Sequence, residues 1–145
     1  MDDLVNANPI VVGFASTPEG HAALRYAGQE ALLRKLSLLV VDLSKEGHDV
    51  TPDAVGTDLA DLHAELDAAG LAVEVAPPDP LFEPSEHLLK VAQEADSTLI
   101  VVGLRHRSRV GKFLLGSSAQ RILLEADCPV LAVKSAAHDQ GAGAA

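Results

Sequence analysis

Gly103, Gly116, Ser117 and Ser118 are the residues of this sequence whose types and spacing could do chemistry. Gly103 ends the apolar run Leu99-Ile100-Val101-Val102, and Gly116-Ser117-Ser118 opens an amphipathic stretch. A glycine at the carboxyl end of a strand turns sharply and lets a ligand approach the backbone. A Gly-Ser-Ser at a helix start offers N–H groups without intrahelical partners, two hydroxyls and the positive end of the helix dipole. Together they form a cradle for an anion, most naturally phosphate. Arg105, Arg107, Arg109 and Lys112 lie between them, four of the eleven Lys and Arg in a chain of formal net charge −10. Cations gathered beside a glycine turn in an acidic protein suit a small anionic ligand; a solvated, solubilising loop is the alternative. His106 lies in the same loop. It could donate to a bound phosphate, more strongly at lower pH, or its ring could fill the space a nucleotide needs. The second reading is preferred, because a ring is bulky where a tight turn wants no side chain.

Other chemistries lack their residues. Gly111-Lys112 resembles the end of a phosphate-binding P-loop, but Phe113 stands at the Ser/Thr position and His106 at the earlier glycine. No Gly-x-Gly-x-x-Gly follows the first apolar run, and no Gly-x-Ser-x-Gly elbow occurs. Ser117 is near His106 in sequence, but no carboxylate is spaced to orient that histidine, so no hydrolytic triad is expected. Asp58, His63 and Asp67 have helical spacing yet flank a leucine stripe and read as a solvated face. His21, His48, His87 and His138 are scattered singly and suit the surface rather than a metal. Cys128 reads as a small buried apolar residue.

The elements that must position these residues alternate. Pro9 to Gly13 is a short apolar run ending in glycine, a buried strand. Thr17 suits a helix N-cap with Pro18 in the first turn, and the helix runs to about Lys35 with Ala23, Leu24, Ala27 and Ala31 on its inner face. Leu38 to Val41 is a second strand ending at Asp42, followed by polar loop from Ser44 to Asp49. Val55, Leu59, Leu62 and Leu66 make one helical stripe between Asp53 and Ala69, which Gly70 stops. Leu71 to Val75 alternates and reads as an edge strand. The proline-rich segment from Pro77 to Pro84 blocks regular structure. It reads as a rigid loop with Phe82 tucked on the core; a lid or aromatic contact is the alternative. Ser85 can cap a helix to about Ala95; Leu99 to Val102, Ser117 to Glu125 and Val130 to Val133 complete strand, helix and strand. Such alternation predicts an α/β fold, a parallel sheet with helices on both faces. Ligands of such sheets bind past the carboxyl ends of the strands, where strand order reverses.

At 145 residues, 48% of them apolar, the chain reads as one globular domain over residues 9–135, with tails at 1–8 and 136–145. No apolar run reaches membrane-spanning length, and the acidic start Met1-Asp2-Asp3 lacks signal-peptide character. The single cysteine argues for a reducing compartment, so cytoplasmic localisation is expected. The negative charge opposes nucleic acid and anionic membrane as partners.

The chain resembles the universal stress protein family over nearly its whole length. The resemblance is carried by residues 10 to 27 (IVVGFASTPEGHAALRYA), by Leu38-Leu39-Val40-Val41-Asp42, and most specifically by Gly116 to Leu123 (GSSAQRIL) followed by Ala126-Asp127-Cys128-Pro129-Val130-Leu131. It implies a five-stranded parallel sheet of order 3-2-1-4-5, stress-linked regulation without an established chemical step, and ATP binding in many members. It also implies a homodimer through the last strand, here Val130, Leu131, Ala132 and Val133, an apolar edge that would be a liability if left uncovered.

ATP-binding members share Gly-x-x-Gly, nine residues, then Gly-Ser or Gly-Thr. Gly103 and Gly116-Ser117 match, while His106 replaces the second glycine. Ala15 stands where binders carry an aspartate near the ribose and adenine. Ala119 stands where a hydroxyl is common, with Ser118 beside it as a substitute. Val40 matches the backbone position that meets adenine. The implied nucleotide residues are therefore Val40, Gly103, Arg105, His106, Gly116, Ser117 and Ser118. Ala15 in place of the aspartate removes one charged hydrogen bond, on the order of 1.5–3 kcal/mol, or roughly tenfold to a hundredfold in affinity. The resulting expectation is a cytoplasmic, homodimeric regulatory protein that binds ATP weakly or not at all. It would take magnesium with any ATP, show slow ATP hydrolysis at most, and act on a regulatory protein partner the sequence does not name. The alternative is a functional ATP or AMP sensor using the loop from Gly103 to Ser118.

Overall fold

The strands of this chain are runs of four or five residues dominated by valine, leucine and isoleucine, too apolar to leave either face in water, so helices must cover both. A computed structural model of the chain describes residues 8–43, 57–104 and 116–135. Within them β1 (Ile10–Phe14), α1 (Pro18–Arg34), β2 (Leu38–Asp42), α2 (Thr57–Ala68), β3 (Val73–Ala76), α3 (Pro84–Glu94), β4 (Leu99–Gly103), α4 (Ser117–Glu125) and β5 (Val130–Val133) follow in order. The sheet is wholly parallel with order β3-β2-β1-β4-β5. It is therefore an α/β fold of the expected strand order. Chain direction along the sheet reverses at β1, whose carboxyl end lies between those of β2 and β4.

Alternation along each strand splits the core in two. Val12, Phe14, Val40 and Val101 face one side and pack with Ala23, Leu24, Ala27 and Ala31 of α1 and with Leu62 and Leu66 of α2. Val11, Val41, Ile100 and Val102 face the other and meet Leu88 and Ala92 of α3 and Ile122 of α4. Small residues on the inner face of α1 bring that helix close to the sheet, which matters at the site.

Local chemistry sets the helix ends. Thr17 caps α1, its Oγ1 accepting from Gly20 N at 3.0 Å, with Pro18 in the first turn. The helix stops at Lys35, which turns left-handed (φ 58°). Gly70, at φ 78°, turns the chain after α2 as its lack of a Cβ allows. Two boundaries differ from the sequence reading by more than one residue. The second helix is described from Thr57; residues 53–56 and the loop from Ser44 lie outside the described residues, as do 1–7 and 136–145. Strand β3 starts at Val73 rather than Leu71, because Leu71 N still closes the helix end onto Leu66 O (2.8 Å) and Ala72 O accepts from Leu38 N (2.9 Å) as the chain joins the sheet. Helix α3 is capped at Glu83, not Ser85: Pro84 takes the first helical position, Glu83 N donates to Glu86 Oε1 at 3.2 Å, and Ser85 is buried.

Other expectations are refined by packing. Phe82 is 36% exposed rather than tucked on the core, with the Lys90 ammonium 4.7 Å from its ring centroid. His87 is not a free surface residue: its Nε2–H donates to the Pro77 carbonyl at 2.8 Å and ties α3 to the proline-rich segment. His21 packs edge-on against Phe14, ring centroids 5.2 Å apart. Cys128 is partly buried, with Sγ 3.3 Å from Ser97 Oγ. His63 and Asp67 are exposed, as a solvated face requires; His48, His106 and His138 lie outside the described residues.

Candidate functional site

The strand order places the ends of β1 and β4 side by side, and a cleft of about 330 Å³ opens beyond them. Gly13 and Ala15 form the β1 side, Val102 and Gly103 the β4 side, and Gly116, Ser117 and Ser118 close it from the start of α4. Four of the sequence-derived residues, Gly103, Gly116, Ser117 and Ser118, are thus brought together although they come from separate elements. Arg105 and His106 lie outside the described residues. The Val40 side chain is fully buried in the core beneath α1 and α2, and Val40 is not among the residues that line the cleft.

Three helix N-termini meet this cleft and they differ; that of α3, reached through Pro84 and Ser85, is closed by the Glu83–Glu86 capping box and carries Glu86 in its first turn. The α1 terminus is satisfied by Thr17 and carries Glu19 in its first turn. The α4 terminus has Gly116 at the cap position with extended backbone (φ −67°, ψ 164°), no capping side chain and no acidic residue in its first turn. Its leading N–H groups and dipole are therefore the less compensated end, the side an anion would approach. The Ser117 and Ser118 hydroxyls are exposed beside it and can donate to the same anion.

Gly103 has a role the sequence reading did not foresee. A Cβ at this position would lie 2.5 Å from the Glu19 carbonyl oxygen and 2.7 Å from its carbon. The close approach is that of the α1 backbone, so glycine is required here by packing. It lets the first turn of α1 reach the end of β4 and shapes the cleft floor from both sides.

Sequence reasoning also missed residues. Thr17, Pro84 and Ser85 line the cleft. A neighbouring cavity of about 640 Å³, lined in part by Asp42, His87 and the proline-rich segment, shares Pro84 and Ser118 with it. Asp42 was legible as the carboxyl-terminal residue of β2, the one place on that strand a ligand could reach, but its neighbours there are set by the fold. Among the described residues no group of three or more His, Cys, Asp or Glu is placed to hold a metal, and no helix is long and apolar enough to cross a membrane.

The arrangement matches known proteins. The sequence model of the universal stress protein family matches residues 6–134. A universal stress protein of Mycolicibacterium smegmatis is 40% identical over 126 residues, 86% of this chain and 96% of that one. The structure of a universal stress protein from Archaeoglobus fulgidus superposes with a TM-score of 0.65 at 29% identity, covering 87% of this chain and 98% of that chain. The Archaeoglobus fulgidus universal stress protein solved in complex with dAMP superposes at 0.60 with 26% identity, covering 87% and 97%. With the family model spanning residues 6–134 and a relative 40% identical over most of both chains, this chain belongs to the universal stress protein family.

Proposed function

We propose that this protein is a cytoplasmic regulator of the stress-response type that holds an adenine nucleotide with lowered affinity in the cleft between β1 and β4. The observation that carries this is the asymmetry of the cleft. Its α4 side carries Gly116, Ser117 and Ser118 at an uncapped helix start, while Ala15 stands on its β1 side and the one acidic residue among its described lining, Glu19, belongs to the first turn of α1. The relative holding dAMP supports an adenine nucleotide as the ligand class. Binding rather than a chemical step is what these groups support, with magnesium accompanying ATP and hydrolysis slow at most. Arg105 and His106 belong to the same loop in sequence and complete the assignment.

The protein acts as a homodimer through β5. Among the described residues β5 pairs with β4 alone, and no described strand covers its outer edge, where a second copy would pair. A regulatory protein partner would read the nucleotide state at the dimer.

The test is acid extraction of the purified protein for adenine nucleotide, followed by calorimetric titration of ATP with magnesium. Weak binding, strengthened at least tenfold by Ala15→Asp together with His106→Gly, is the expected result. An empty protein with no heat of binding in either form overturns the nucleotide reading. High affinity in the wild-type chain, lost in Ser117→Ala and Gly116→Val, would instead make it a fully competent sensor, the reading the dAMP-bound relative favours.

A further inference from the structure

The edge of the sheet away from β5 is also open. Among the described residues β3 pairs with β2 alone. Leu38 N donates to Ala72 O at 2.9 Å, and the parallel register sets Leu38 opposite Val73 and Val40 opposite Val75. By strand alternation Ala72, Glu74 and Ala76 turn their backbone groups toward β2, and Val73 and Val75 turn theirs away from it. The N–H and C=O groups of Val73 and Val75 are thus a template for one more strand. Val75 is 44% exposed, and Glu74 is exposed beside it.

The chain around this edge carries charge of one sign. Between Lys45 and Lys90 the sequence holds eleven of the 21 acidic residues and no lysine or arginine. That stretch supplies α2, β3 and the first turn of α3. Helix α2 packs against β3 and exposes Asp61, Glu65 and Asp67. The ion pairs at Glu30, Glu86 and Glu125 involve none of these three acids, nor Glu74. A charge on an edge strand guards it against a second copy of the same strand. Two copies paired here would set Glu74 and the acids of α2 against their like. The same charges attract a strand of opposite sign. The β5 strand, Val130–Val133, has no charged side chain, so the two edges select different occupants.

We propose that the β3 edge docks an extended segment, rich in lysine or arginine, of a partner protein by strand addition. Main-chain hydrogen bonds to Val73 and Val75 provide the pairing, and Glu74 with the acids of α2 selects for positive charge. The surface does not depend on the nucleotide cleft. It lies at the opposite end of the strand order from β5, so pairing through β5 leaves it free.

The test is fluorescence anisotropy of a labelled short peptide of alternating lysine and valine, titrated with the whole chain. Saturable binding is expected, weakened by added salt. Val75→Pro, with a native thermal transition, removes an outward donor, leaves the β2 ladder intact and weakens binding roughly tenfold. The wild-type chain alone gives a further check: the same peptide with proline in place of valine cannot pair, and binds roughly tenfold more weakly. Equal affinity for the two peptides leaves attraction between charges alone and overturns strand addition, as does unchanged affinity in Val75→Pro. A lysine peptide that does not bind, or a glutamate counterpart that binds as tightly, overturns the proposal. So does a change of association state on Val75→Pro in sedimentation velocity without peptide, because a second copy then holds the edge.

Discussion

At the residue scale, glycine at position 103 serves the protein before it serves a ligand. A Cβ there meets backbone atoms of Glu19 that cannot rotate away. Gly103→Ala is expected to lower stability by about 1–3 kcal/mol, as overpacking does, measured as a drop in the urea midpoint. Gly28 is a related case, since a Cβ would fall 2.2 Å from Leu62 Cδ2. There the obstacle is a side chain, so Gly28→Ala should cost less than Gly103→Ala in the same assay. The residues Gly103, Gly116, Ser117 and Ser118 were legible in the sequence because a strand-ending glycine and a Gly-Ser-Ser helix start are local patterns, although Gly103 has a packing reason of its own. The place of Asp42 at a cavity was not legible, because an aspartate closing a strand looks the same whether it faces solvent or a cavity.

Elements show how caps and packing share the work of placing the site. Thr17 caps α1 directly beneath the cleft, and Thr17→Ala should cost about 1 kcal/mol in urea denaturation. Glu86 works at two elements: one oxygen accepts from Glu83 N at the α3 cap, the other from Arg121 on α4 at 3.1 Å. Arg121 also has Nε 3.3 Å from Glu125 Oε2, although that N–H is not aimed well enough to count as a hydrogen bond. Both pairs are partly exposed, so each is worth at most about 1 kcal/mol. Glu86→Gln should therefore lower stability only slightly, within about 1 kcal/mol by urea midpoint. The cap at Glu83 escaped the sequence reading because Ser85 has the commoner capping side chain; Pro84, preorganised for a first helical position, moved the start earlier.

For the whole molecule, the open edge is the governing feature. Pro129 O and Val133 O accept from β4 (Ile100 N, 3.0 Å; Leu104 N, 2.7 Å), so by strand alternation Val130 and Ala132 turn their backbone groups outward. Ala132→Pro deletes an outward donor without touching the β4 ladder. For the proposed dimer through β5, sedimentation velocity should show this variant as a monomer where the wild-type chain is a dimer, with the far-UV circular dichroism unchanged. Exposed Leu124, 84% accessible on α4, adds apolar surface to the molecule. The alternation of short apolar runs with amphipathic stretches was enough to establish a parallel α/β sheet and to mark Gly103, Gly116, Ser117 and Ser118 as residues at element ends, which the fold gathers in one cleft, because side-chain periodicity and helix capping are local properties. Which strand ends would meet is not local. It follows from the order β3-β2-β1-β4-β5, set by the packing of helices on both faces. Only that packing brought Ser118 between two cavities, pressed Gly103 against α1 and set Asp42 in register with Phe14, since contacts between distant segments depend on the closed core and leave no period in the chain.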